Sequence, residues 1–214
     1  MKISMINGSP KLSKSCSSLL LEELKKSINE KSVSNFDITN FDISKHALNE
    51  IELNEVTNSD ILVVAFPLYV DGIPSHVLEE LYELESAFSG NPNSRNTVLY
   101  GIVNNGFSES HQNKNAAKML ELFCKRSGII FGQVLALGGG EVIRQMLESG
   151  MPFLTLNFLI LRMTGTLLLI TLSLKEPAPL YSAHSSPRHG YLELSETLHS
   201  GIRMRKKTES VRSR

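Results

Sequence analysis

The chain has 214 residues, 41% of them hydrophobic and 21% charged, which suits one soluble globular domain with an appendage and excludes a low-complexity or fibrous protein. Lys plus Arg and Asp plus Glu both total 22, yet six of the cations lie in 203–214 against Glu209 alone, leaving 16 positive and 21 negative charges over the remainder. The body of the chain is therefore mildly acidic, which excludes an overall basic nucleic-acid-binding surface, and the basic tail reads as a solvated chain end.

The expected elements alternate in type. KISMIN (2–7) is a short strand, and CSSLLLEELKKSINEK (16–31) carries Leu19, Leu20, Leu24 and Ile28 at helical spacing. NFDITNFDI (35–43) reads as a strand, followed by a polar, weakly helical stretch to Asn58. DILVVAFP (60–67) is a nearly continuous apolar run, which suits a strand covered on both faces. Residues 75–88 are expected as a helix with Val77, Leu78, Leu81, Leu84 and Phe88 on one side, and 96–106 as a strand running into a turn. A helix over 111–128 ends at Gly128, a suitable C-cap, and a fifth strand over 129–140 ends in a glycine loop, with helical material after it. Strands alternating with helices require parallel crossovers, so the expected fold is an α/β, doubly wound parallel sheet.

The C-terminal third departs from this alternation. Residues 151–174 are apolar enough to approach the length of a spanning helix, but Arg162 lies near the centre and Asn157, Thr155, Thr164 and Gly165 dilute the run. A central Arg costs roughly 2.5–3.5 kcal/mol on insertion, so the segment is expected in a core or at an oligomer interface. Residues 177–190 read as a loop and 191–207 as a final amphipathic helix. Cys16 and Cys124 make neither a disulfide framework nor a zinc spacing, and the first strand leaves no room for a leader peptide, so a reducing, cytoplasmic setting is expected.

Ligands of open parallel sheets bind beyond the carboxyl ends of the strands, where three loops carry unusual residues. NGSPKLSKSC supplies Ser9, Ser13, Ser15 and Ser17 as hydroxyl donors and Lys11 and Lys14 as charges, directly before a helix start. Helix starts favour anions through their N–H groups and dipole, so the loop is expected to hold a phosphate; the plainer reading is a Ser-rich helix cap. The Walker and dinucleotide glycine patterns are missing. Six residues after Cys16 stands Glu22, where a phosphatase loop would need Arg. A helix start can lower the Cys16 thiol pKa, but the residue reads as a bystander in the loop. PLYVDGIPSH (67–76) offers two prolines, Gly72 and the aromatic face of Tyr69, and VNNGFSES (103–110) offers Asn104, Asn105, Gly106 and Phe107. A phosphate site flanked by two such loops is what flavin mononucleotide (FMN) requires.

GSPKLSKSCS, PLYVDGIPSHVLEEL and GIVNNGF together resemble the NADPH-dependent FMN reductase branch of the flavodoxin-like superfamily, over roughly residues 1–145. Its P-x-Y-x-x-x-x-P element with a leucine in the next helix is matched by Pro67, Tyr69, Pro74 and Leu78, and Pro187, Arg188 and Tyr191 carry a weaker C-terminal match. The resemblance implies a five-stranded sheet of order 2-1-3-4-5, with 1–150 as an FMN-binding domain and 151–214 as a helical extension packed on it or at an oligomer interface. It implies Ser9, Lys11, Ser15, Cys16 and Ser17 around the phosphate, Pro67, Leu68, Tyr69 and Gly72 along one side of the ring, and Asn104, Asn105, Gly106 and Phe107 along another. Many relatives carry Arg and Asn in the first loop, where this chain has Lys11 and Ser15 or Ser17.

The implied activity is that of a cytoplasmic, homo-oligomeric oxidoreductase. Hydride passes from NAD(P)H to bound FMN, and electrons then leave to a small-molecule acceptor such as a quinone, nitro or azo compound, free flavin or metal ion. No protein metal site and no acid–base side chain is implied; His76 and His111 read as helix-start histidines. Two other readings stand beside it. A flavodoxin-type electron carrier without NAD(P)H turnover has a more acidic surface, and a non-catalytic, membrane-associated relative draws on 151–174 and the tail.

Overall fold

The third strand explains the architecture. In this computed structural model, which describes residues 1–12, 14–31, 36–91, 96–149 and 191–193, β3 (Ile61–Pro67) lies at the middle of the sheet. Successive side chains of a strand face opposite ways. Ile61, Val63 and Ala65 accordingly enter one apolar layer, while Leu62, Val64 and Phe66 enter the other. An uninterrupted apolar run is thus two interleaved faces, each covered by helices.

Around it stand β1 (Lys2–Asn7), β2 (Asp37–Asp42), β4 (Val98–Asn104) and β5 (Ile130–Leu137), all pairing in parallel in the order 2-1-3-4-5. A short β6 (Tyr191–Glu193) extends the sheet beyond β5, also in parallel. This corrects the helix expected over 191–207: its first three residues are strand, because the exposed edge of β5 gives them backbone partners that a lone amphipathic pattern cannot reveal. The rest of that segment, the apolar 151–174, the 177–190 loop and the basic tail lie outside the described residues.

One layer is closed by α1 (Cys16–Lys31), through Leu20, Leu21, Leu24 and Ile28, with Ile143 of α5 (Gly140–Glu148). The other is closed by α2 (Glu50–Thr57), α3 (Ser75–Ser89) and α4 (Lys114–Ser127), through Val56, Val77, Leu81, Leu84, Leu120 and Phe123. The sheet is therefore doubly wound. The weakly helical stretch before Asn58 resolves into α2, started by a capping box in which the Asn49 side chain accepts from Glu52 N and the Glu52 carboxylate accepts from Asn49 N. Gly128 ends α4 with φ 73°, as the sequence expects of a C-cap. Gly132 is the extra residue where the β4–β5 register shifts between Leu99 and Tyr100; a Cβ there would lie 2.9 Å from the Leu99 carbonyl oxygen. No helix among the described residues is long and apolar enough to cross a membrane.

Candidate functional site

Parallel strands deliver their carboxyl ends to one edge of the sheet, and the loops leaving β1, β3, β4 and β5 meet there around a cavity of about 190 Å³. Its lining joins Ser9, Lys11, Ser15, Cys16 and Ser17 with Pro67, Leu68 and Tyr69, and with Asn104, Asn105 and Gly106. Of the thirteen candidate residues, Gly72 and Phe107 lie outside this lining; Ser13, a further hydroxyl of the first loop, is outside the described residues. Three residues that the sequence reading missed complete it: Gly140, Glu141 and Arg144, from the start of α5. Two larger cavities exist, of about 570 and 590 Å³. One lies around Lys2, Asp60 and Thr97 at the opposite ends of the strands, and the other lies between the loop after β2 and α3. Neither receives more than Pro10 from the first loop.

The first loop is fixed from behind. Gly8 donates its N–H to Ala65 O at 2.8 Å, and a Cβ on it would come within 2.5 Å of Val77 Cγ2. Its role is thus close approach to the first turn of α3. His76 lies 3.1 Å from the Gly8 carbonyl through Nε2, so it tethers this loop rather than standing free in solvent. Lys11 N donates to Ser9 Oγ at 3.4 Å. At the head of α1, Ser18 N donates to Ser15 Oγ at 3.1 Å and Ser15 N donates to Ser18 Oγ at 2.9 Å. The capping role of the serines is therefore present in the structure.

The Asn104–Asn105 pair is committed inward. Asn104 Nδ2 donates to Ser17 Oγ at 2.8 Å, tying the loop after β4 to the start of α1. Asn105 Oδ1 accepts from Phe107 N at 2.9 Å, and Asn105 Nδ2 donates to Glu109 O at 3.1 Å. These amides are thus spent on holding the wall in place. The glycine run after β5 is stitched to the same loop: Gly139 N donates to Phe107 O at 2.5 Å and Gly140 N to Asn105 O at 2.7 Å. A Cβ at Gly140 would lie 2.9 Å from Asn104 Oδ1. Gly139 has φ 66°, and Gly138 has no room beside the Ser108 carbonyl. Sequence reasoning could have found this fourth loop from G-G-G at the carboxyl end of a buried strand, followed by E-x-x-R on the next helix.

Tyr69 is carried on a two-residue turn, with Tyr69 N donating to Gly72 O at 3.1 Å and Gly72 N to Tyr69 O at 3.0 Å. Both central residues, Val70 and Asp71, have positive φ (46° and 58°), a conformation that suits Asn-Gly and strains a β-branched side chain. Val70 is fully exposed, so no packing offsets the strain. Gly72 itself is not in close contact; a Cβ there would meet only atoms at 3.9 Å. A Val70→Asn variant is expected to be stabilised by about 1 kcal/mol, raising the thermal midpoint by about 2–4 °C in a melting experiment. An unchanged or lowered midpoint would show that the turn holds Val70 without strain.

The charges at the mouth come from two elements. Arg144 Nη2 pairs with Glu141 Oε1 at 2.5 Å, Arg144 Nη1 reaches Glu148 Oε2 at 2.6 Å, and Lys11 Nζ lies 4.0 Å from Glu141 Oε2. The Arg144 hydrogen bond holds the Glu141 carboxyl down at about 2. Cys16 is buried, and that burial, with the Glu141 charge next, pushes its thiol up to about 12. Burial thus outweighs the lowering that a helix start alone suggests. No group of His, Cys, Asp and Glu among the described residues is arranged to hold a metal ion.

No protein-family model and no curated protein matches this sequence. Solved structures do match in fold. An NADH:FMN oxidoreductase in its apo form is 15% identical with a TM-score of 0.58, covering 88% of this chain and 95% of that one. An FMN-dependent NADH-azoreductase from Bacillus anthracis, solved with FMN, is 14% identical with a TM-score of 0.54, covering 77% and 100%. The Trp repressor binding protein from Bacillus subtilis is 17% identical with a TM-score of 0.52, covering 69% and 94%. The fold is flavodoxin-like.

Proposed function

We propose that this chain is an FMN-dependent NAD(P)H oxidoreductase whose FMN-binding unit is residues 1–150. The observation that carries the reading is the meeting of four loops, from β1, β3, β4 and β5, in one cavity at the carboxyl edge of a flavodoxin-like sheet. Two of the fold neighbours are described as FMN oxidoreductases, which agrees with it.

The residues present fit the cofactor. The lining combines the start of α1, three serines and the cations Lys11 and Arg144 at one end, where a phosphate would be held. At the other end Tyr69 offers a half-exposed aromatic ring, and beside Gly106 a Cβ would meet nothing within 4 Å. A volume of about 190 Å³ is too small to enclose a whole nucleotide, since ligand-burying pockets run to about 300–1,000 Å³. The phosphate end belongs inside and the flat ring belongs at the open rim between Tyr69 and Gly106.

When bound, FMN supplies two-electron acceptance from NAD(P)H and return of those electrons to a second substrate. The chain supplies position and polarity. Lys11 and the α1 start neutralise the phosphate, Pro67, Leu68 and Tyr69 wall one side, and the Asn104–Gly106 backbone walls another. Within that lining, burial raises the Cys16 thiol and the Arg144 hydrogen bond keeps Glu141 ionised.

The test is direct. The purified chain titrated with FMN is expected to quench flavin fluorescence, and the loaded protein to oxidise NAD(P)H when a quinone is added. Lys11→Glu combined with Ser9→Ala is expected to weaken FMN binding at least tenfold, because it reverses a charge beside the phosphate. Failure to take up FMN overturns the proposal. Uptake without NAD(P)H oxidation makes the chain an electron carrier instead.

A further inference from the structure

An anion site that already contains an anion is unusual, and Glu141 is that anion. Its carboxylate stands in the cavity lining between the two cations that a phosphate would use, hydrogen-bonded by Arg144 (Nη2–Oε1 2.5 Å, Nε–Oε2 3.1 Å) and 4.0 Å from Lys11 Nζ. Arg144 is clamped from its other side by Glu148, and its side chain is only 22% exposed, so it is held towards the cavity. Glu141 itself is 55% exposed and is anchored through its partners, not by burial. Its charge is felt at the α1 start, where it adds to the raised pKa of Cys16.

We propose that Glu141 is a built-in counter-anion that occupies Lys11 and Arg144, that the phosphate of a ligand must displace, and that sets an affinity threshold for phosphates at this site. This rests on the reading of the site given above. Two like charges cannot share one pair of cations without a mutual repulsion, and Glu141 does not escape it by protonation, being held ionised by Arg144. Inorganic phosphate and small phosphorylated metabolites bring nothing to offset that displacement. A ligand with a large flat ring brings contacts to Tyr69 and the Asn104–Gly106 wall in addition. Glu141 thereby lowers affinity for every phosphate by a similar factor, a threshold that only a phosphate with further contacts through an attached ring clears at low concentration. Both Glu141 and Lys11 are more than half exposed, so the effect is screened and shrinks as salt is added.

The experiment compares the full chain with Glu141→Gln and Glu148→Gln, using FMN, riboflavin and inorganic phosphate as probes. Flavin fluorescence reports the first two, and phosphorus NMR line broadening the third. Glu141→Gln is expected to bind FMN and inorganic phosphate roughly tenfold more tightly at low salt, with riboflavin unchanged because it lacks the phosphate. Glu148→Gln, whose side chain is outside the lining, is expected to have a much smaller effect. If Glu141→Gln leaves phosphate and FMN affinity unchanged or weakens them, Glu141 merely orients Arg144 and the proposal is overturned. If FMN binds neither form while inorganic phosphate binds Glu141→Gln more tightly, the counter-anion stands and the flavin reading falls. If inorganic phosphate binds neither form, the counter-anion falls whatever FMN does.

Discussion

A Gly138→Ala variant is expected to unfold about 3 kcal/mol more easily and to lose most of its FMN affinity. The added Cβ would enter the Ser108 carbonyl oxygen, and would lie 2.8 Å from the Ser108 carbonyl carbon and 3.0 Å from Phe107 O. All three are backbone atoms, which cannot rotate aside as a flexible side chain does, so either the end of β5 or the loop after β4 must move. Overpacking of this kind costs about 1–3 kcal/mol or somewhat more. Movement there breaks the Gly139–Phe107 and Gly140–Asn105 hydrogen bonds, and with them the wall that Asn104 ties to Ser17. Urea unfolding checks the first effect as a lowered midpoint at unchanged slope, and flavin titration checks the second. Gly106→Ala is the control in the same loop. Its Cβ would meet nothing within 4 Å, so it is expected within about 0.5 kcal/mol of wild type. Equal stability for the two variants would show that the loops are not held at the separation described.

That pair of glycines illustrates what sequence alone reveals. The alternating elements were legible because the strands carry patterns set by their burial: Ile61–Phe66 must be covered on both faces, as parallel sheets with helical crossovers are. The chemistry of the first three loops is local, and Ser9, Lys11 and Ser15–Ser17 meet Pro67–Tyr69 and Asn104–Gly106 around one cavity. Gly72 and Phe107 did not join them, since whether a loop residue faces inward depends on the turn around it. The glycine loop after β5 was legible but not its partners: the local E-x-x-R signal at Glu141 and Arg144 gains its place at the site from Lys11, about 130 residues earlier in the chain. The short β6 was missed for a similar reason: three residues gain strand geometry from a neighbouring edge, not from their own sequence.

The Cys16 environment leads to a second large effect, on stability at alkaline pH. Burial pushes three acids up to about 12: the thiols of Cys16 and Cys124, from 9.0, and the phenol of Tyr100, from 10.0. All three are almost wholly buried, and among the described residues the Tyr100 hydroxyl has no hydrogen-bond partner that would favour its ionised form. In the unfolded chain each group loses its proton near its ordinary value, while the folded chain keeps it to about 12. Between these limits the native state binds more protons, so stability is full below pH 9 and falls as pH rises. Each such group contributes a slope approaching about 1.4 kcal/mol per pH unit, and two thiols together about 2–3. With a total stability of about 5–15 kcal/mol typical of a domain, unfolding is expected by about pH 11–12. Urea midpoints measured from pH 8 to 11 should fall steeply above pH 9, and Cys124→Ala should reduce the slope even though its cavity lowers the starting stability. A flat profile across that range would place the thiols in a solvated setting and remove the argument that Cys16 is an inert wall of the site.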